Sequence, residues 1–286
     1  MSKGPVYDLT EAWQQNINAV RNKPLQRRAY IEKWAARTGM SAEVAWHWFC
    51  TDDMAAAHFA KDPRKQSAHE NIAAAWIKKL PGVYDFQQLK RSGPKALYVS
   101  KGQVLRQNDV VLQNTPKSID FYWKMALPGN HRILHVYASH KHTAEDGGSQ
   151  DNQLEDLKQF VKEATCLEDE CGVRFLALSD GDYYTKPRGP QRTYLDDLVQ
   201  LSQASPYVRA LPCVDLPLYL ATCLQKLANS LAPDEYLTIQ NELNGLVERL
   251  TQWENDETMA TDMTSPSPAP PVSVEPPQPA VETPPS

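Results

Sequence analysis

Metal-assisted hydrolysis of a phosphodiester asks for carboxylates that hold a divalent cation beside the phosphate, and for a fixed positive charge that steadies the reacting groups. Asp120 and, nineteen residues further on, Ser139-His140-Lys141 supply those types in two strand-like segments. In residues 118–123, Ile119, Phe121 and Trp123 alternate with Ser118, Asp120 and Tyr122, which predicts that the acid lies opposite the most apolar face. The same period of two puts Tyr137, Ser139 and Lys141 on one face of the second segment, with Val136, Ala138 and His140 on the other. A lysine ending a buried strand beside an aspartate is an arrangement that a hydrolytic metal site would use. Asp180 and Asp182 close the next apolar run, at the strand end where ligands collect in open α/β sheets.

These residues need a sheet, and the texture of the chain predicts one. Residues 1–60 read as a helical N-terminal region, with Trp13, Ile17, Val20, Trp34, Ala35 and Trp46 among its apolar positions. Asp62-Pro63 offers a helix start, and Pro81-Gly82 stops that helix. Beyond it come short β-branched and aromatic segments at 96–99, 110–112, 119–123 and 133–138. A helix over about 150–165 and the apolar run 173–178 complete a crossover unit, so the last two strands should be parallel. Helical stretches over about 192–203 and 215–252 close the folded part. The expected class is α/β (α+β), a mixed central sheet flanked by helices, with one domain over 61–253 after the helical region. The tail 254–286 is acidic and holds nine of the chain's 22 prolines in its last 23 residues, which predicts disorder.

Composition narrows the class. The 286 residues carry a formal charge of −5, but residues 1–253 hold all 30 bases against 29 of the 35 acids. A near-neutral body makes no non-specific nucleic-acid coat, and leaves room for a locally basic cleft. No window approaches the roughly 18 apolar residues of a membrane span. The five scattered cysteines include no Cys-x-x-Cys pair, which suits reduced thiols in a cytoplasm.

Taken in order, Glu70, Ile119-Asp120-Phe121, the strand ending in Ser139 to Lys141, Gly147-Gly148-Ser149-Gln150-Asp151-Asn152-Gln153 and Leu176 to Tyr184 resemble the nuclease superfamily with the PD-(D/E)XK signature. That signature is Asp, a variable gap, then Asp or Glu, any residue, Lys on adjacent strands. Within it the chain looks most like type II restriction endonucleases over about residues 60–225. The resemblance implies a restriction-endonuclease-like fold and Mg2+-dependent cleavage of double-stranded DNA, leaving a 5′-phosphate and a 3′-hydroxyl. It also implies a homodimer on a palindromic site, and a cognate DNA methyltransferase in the same system. Asp120 and Lys141 take the signature positions. Ser139 stands where the family has its second acid, and a subgroup with this serine takes the missing carboxylate from the following helix. Glu155 is placed to supply it, with Asp151 one turn earlier as competitor. Related enzymes also bring an acid from a helix before the sheet, which points to Glu70, on one helical stripe with Ala73 and Ile77. The metal set expected is therefore Asp120 with Glu155 or Glu70.

Ser149, Gln150, Asn152 and Gln153 enter the start of a helix, where free N–H groups suit a phosphate and the amides can pair with adenine, so they are candidate DNA contacts. Plainer readings compete at several positions. Glu155 stands three residues before Lys158, as a solvated helix pair would. Ser67-Ala68-His69-Glu70 matches a capping box. The tryptophans at 34, 46 and 48 suit a core. His140 and His142 do not share the face of His135, which argues against a histidine metal cluster on this strand. Residues 30–49 contain a helix, Thr38-Gly39-Met40-Ser41 and a second helix, as a helix-turn-helix DNA-binding regulator would.

Overall fold

The computed structural model describes residues 4–62, 67–109, 116–130, 132–144, 148–167, 172–188 and 192–253. Its first four helices are α1 (Thr10–Arg21), α2 (Pro24–Thr38), α3 (Ala42–Thr51) and α4 (Asp53–Phe59). Local chemistry sets their ends. Pro24 sits in the first turn of α2, where a missing N–H costs nothing. Gly39 ends that helix in the left-handed region at φ 73°. Ser41 caps α3 by accepting from the Val44 N–H at 3.3 Å, and Asp52 caps α4 by accepting from Ala55 at 2.7 Å. Ile17, Val20, Ile31, Ala35, Phe49 and Phe59 help to close a separate small core, against which Trp34 and Trp46 pack. Trp48 is 48% exposed, contrary to the core expectation, because the inward stripe of α3 runs through Ala45 and Phe49.

Helix α5 (Ala68–Lys78) follows. The expected start at Asp62-Pro63 runs into residues 63–66, which lie outside the described ones. Ser67, just before α5, has φ 60° and no side-chain cap hydrogen bond, so the expected capping box does not form. Next come β1 (Val83–Gln88), β2 (Leu97–Ser100), β3 (Gln103–Arg106), β4 (Lys117–Ser118), β5 (Phe121–Ala126) and β6 (Ile133–His142). The strand expected at 110–112 falls outside the described residues. Helix α6 (Gly148–Ala164), β7 (Val173–Asp180), α7 (Asp182–Thr185), α8 (Tyr194–Ser202), β8 (Val208–Leu211), α9 (Leu216–Ala228) and α10 (Pro233–Thr251) complete the order. The stretch read as one helix over 215–252 is two, because Pro233 lacks an N–H and holds Ala232 extended at ψ 149°.

Five strands form the main sheet in the order β1-β5-β6-β7-β8, and β3-β2-β4 form a small second one. Strands β1, β5 and β6 pair antiparallel, whereas β6, β7 and β8 are parallel, as a strand-helix-strand crossover dictates. The fold is thus the expected mixed sheet flanked by helices. One face, with Phe121, Trp123, Val136, Ala138, Leu176 and Leu178, packs against α5, α9 and α10. The other, with Phe175 and Ala177, packs against Leu157, Phe160 and Val161 of α6 and Leu198 of α8. Each of the larger buried side chains among them contributes about 1.5–3 kcal/mol. Residues 1–254 make one compact unit. No helix among the described residues is long and apolar enough to cross a membrane.

The small sheet is fastened to α6. Its β2–β3 turn carries Lys101 at φ 48° and Gly102 at φ 77°, and the Gly102 N–H donates to the Glu163 carbonyl at 2.7 Å. A Cβ on Gly102 would lie 2.4 Å from the Leu167 nitrogen, so no larger residue fits there.

Candidate functional site

Asp120 occupies the handover between the two sheets. The Ile119 N–H donates to Leu97 of β2, and the Asp120 N–H donates to Ala138 of β6. This handover breaks the expected alternation at one residue: Ile119 joins the α6-side core, whereas Phe121 and Trp123 join the opposite one. Asp120 itself is 2% exposed. Its Oδ2 accepts from the Ser139 hydroxyl at 3.1 Å and from the His140 N–H at 2.8 Å, and the Lys141 ammonium stands 3.9 Å away. Its Oδ1 is buried without a hydrogen-bond partner among the described residues. A lone buried acceptor on a carboxylate is costly, and it is a ready donor to a cation. Ser139 therefore orients the aspartate, as a hydroxyl rather than a second acid can.

Glu70, on the first turn of α5, is 14% exposed and ion-pairs with Arg91 from the β1–β2 connection. Burial would lower the pKa of Arg91, but the charges of Glu70, Asp120 and Asp156 together raise it. That guanidinium thus pairs with Glu70 and lies in the field of Asp120 and Asp156. Asp156 on α6 also holds Lys117 at 2.8 Å. Its neighbour Glu155 is 64% exposed and pairs with Lys158 at 2.7 Å. Asp151 accepts from the Tyr183 hydroxyl at 2.7 Å.

Of the residues at the start of α6, Ser149 and Gln150 lie in its first turn, with side chains outside the described set. Asn152 is exposed. The Gln153 side-chain oxygen accepts from Thr143 at 2.9 Å, which ties this end of the helix to the end of β6. Asp182 is exposed at the start of α7.

Asp180 departs from the expected site. On β7 it continues the face of Leu176 and Leu178, so it points to the side of the sheet opposite Lys141. There it meets His140 and two residues that the sequence reading did not single out, Tyr7 and Cys213. His140 Nε2 lies 3.1 Å from Asp180 Oδ2 and 2.9 Å from the Tyr7 hydroxyl, which also donates to Asp180. Asp180 Oδ1 accepts from the Cys213 N–H at 2.8 Å. Burial alone would raise Asp180, yet the hydrogen bonds and charge of His140, with help from Cys213 and Tyr7, bring it down to about 2. Burial raises both the Cys213 thiol and the Tyr7 phenol well above their usual ranges. His142 packs against Tyr7 and His69 with the rings tilted and their centroids 4.0 and 4.1 Å apart, and burial lowers it to about 4.

Comparison with family models, with curated proteins and with solved structures finds no match for this chain.

Proposed function

We propose that this protein is a type II restriction endonuclease, hydrolysing phosphodiester bonds of double-stranded DNA at a short specific sequence with magnesium. The observation that carries the reading is Asp120. One carboxylate oxygen is fixed by Ser139 and the His140 N–H, the other is buried without a partner among the described residues, and Lys141 stands beside it. The order of elements supports it too: a helix carrying Glu70, an antiparallel trio with Asp120 just ahead of β5 and Lys141 on the neighbouring β6, then a crossover helix to a parallel strand.

Asp120 Oδ1 and the Glu70 carboxylate supply hard oxygen donors, which fit magnesium. Glu155 is the alternative that the resemblance implies. Bound magnesium supplies Lewis acidity at the phosphate and a more acidic water. The rest falls to side chains of the chain itself. Ser139 and the strand amide keep Asp120 in one orientation. Lys141, 12% exposed, holds its positive charge at the edge of the site, where it steadies an attacking oxygen or a phosphate oxygen. Arg91, more than half exposed, pairs with Glu70 and has the planar fork that suits a phosphate. Asn152, exposed at the start of α6, is the described side chain there that is free to contact DNA. A cytoplasmic homodimer acting beside a cognate DNA methyltransferase completes the proposal.

A mapped plasmid incubated with the protein and magnesium tests this directly. Discrete fragments ending in 5′-phosphates are expected. A random smear would point instead to a repair or recombination nuclease with the same core. Retarded but uncut DNA at every magnesium concentration would overturn the enzyme reading in favour of a DNA-binding regulator. That second reading has its own support in α2, Gly39 and the Ser41-capped α3, whose Val44 and Trp48 are exposed.

A further inference from the structure

On the far side of the sheet from Lys141, four side chains from distant parts of the chain converge: Tyr7 ahead of α1, His140 on β6, Asp180 at the end of β7, and Cys213 ahead of α9. We infer that His140, Asp180 and Cys213, with the Tyr7 hydroxyl as a fourth donor, form a binding site for a thiolate-preferring transition-metal ion of the zinc type, separate from the proposed magnesium site.

Three observations carry it. The first is closure. His140 Nε2 lies 2.9 Å from the Tyr7 hydroxyl and 3.1 Å from Asp180, and Tyr7 hydrogen-bonds Asp180. Ligand atoms of His140, Asp180 and Cys213 all lie within 4.8 Å of one another. Ions held at 2.0–2.3 Å by four tetrahedral donors separate those donors by about 3.2–3.8 Å, so small side-chain adjustments suffice. The second is donor chemistry. One sulfur, one imidazole nitrogen and one carboxylate form a borderline-soft set that selects zinc or cobalt over magnesium and calcium. On ion binding the Cys213 thiol proton leaves to solvent, and with the Asp180 carboxylate the two ligand charges balance a divalent ion. The third is seclusion. The His140, Asp180 and Cys213 side chains are buried, and His140 Nδ1 has no partner among the described residues, so Nε2 is the ring's only polar anchorage there. Such a burial of polar groups is the setting in which a metal ion repays desolvation.

The site would fasten the N-terminal segment and the β8–α9 connection to the ends of β6 and β7. Those ends carry Lys141, and the His140 amide holds Asp120, so the ion would be structural support for the other face.

The test uses the full-length protein, stripped with a chelator and titrated with cobalt(II) alone. One cobalt per chain is expected, with a near-ultraviolet thiolate-to-cobalt charge-transfer band and visible bands of tetrahedral intensity. The band should survive Asp120→Asn and Cys166→Ser, and vanish in Cys213→Ser. Carboxylates cannot produce it, so magnesium-site binding is not mistaken for it. A folded wild-type protein that gives no band, or a band that persists in Cys213→Ser, would overturn the inference. If Cys213→Ser does not fold, the X-ray absorption edge of the zinc-loaded wild-type protein decides. A shell with one sulfur among nitrogen and oxygen neighbours supports the site, and a sulfur-free shell overturns it.

Discussion

Strand β6 serves two regions that differ in nearly every physical respect although their residues alternate. Ser139 and Lys141 look toward α6 and reach a carboxylate with one acceptor unmet among the described residues. His140 looks the other way, into a sealed cluster where Asp180 receives hydrogen bonds on both oxygens. The first face borders solvent through Arg91 and, to a lesser degree, Lys141. The second is closed by Tyr7 and Cys213. The Asp120 carboxylate and the closed cluster are thereby separated by one residue, and His140 is the point where they meet, since its N–H holds Asp120 while its ring holds Asp180.

The most direct way to break this comparison is at Lys141. Lys141→Ala should lower magnesium-dependent cleavage by about 10²–10³-fold, the usual cost of losing one electrostatic contact in a catalytic site, with no change in thermal unfolding beyond a few degrees. Activity equal to the wild type would remove the catalytic face from the picture. Gly181 probes the other region. At φ 98° it joins β7 to α7, and a Cβ there would lie 2.3 Å from the Thr143 carbonyl oxygen. Gly181→Ala should cost about 3 kcal/mol in a denaturant titration, because positive φ and a backbone clash add. Gly39, equally left-handed but with nothing within 4 Å of a Cβ, should lose only about 1 kcal/mol as Gly39→Ala. Equal losses would show that the strand ends are less tightly joined than described. The smallest and sharpest contrast is between two acids. Glu70→Ala should lower magnesium-dependent cleavage by about 10–100-fold, and Glu155→Ala by less than about threefold. The reverse ranking in a magnesium titration would put the second carboxylate on α6.

Much of this was legible before any coordinates. Period two alone divides β6 correctly, and the strand-helix-strand order predicts the parallel β6–β7 pair. Strand position likewise pairs Asp120 with Ser139 and Lys141. What escapes the sequence is whatever arrives from elsewhere. Tyr7 lies 133 residues from His140, and Cys213 lies 33 from Asp180; no periodicity within a segment reports such meetings. Arg91 comes from an irregular connection and carries no pattern of its own. Asp180 shows the opposite limit, for its alternation with Leu176 and Leu178 puts it on the face opposite Lys141, which strand-end position alone does not report. On α6, one step of about 100° separates Glu155, turned to Lys158, from Asp156, which pairs with Lys117.

The Gly102 turn has a mechanical consequence. Because the small sheet is bolted to the last turn of α6 at Glu163, and again through Lys117 and Asp156, sheet and helix must travel together. Ile119 is hydrogen-bonded into that sheet and Asp120 is the next residue. A displacement of α6 would therefore be passed through the small sheet to the residue next to Asp120, so the setting of that carboxylate is coupled to the position of the helix.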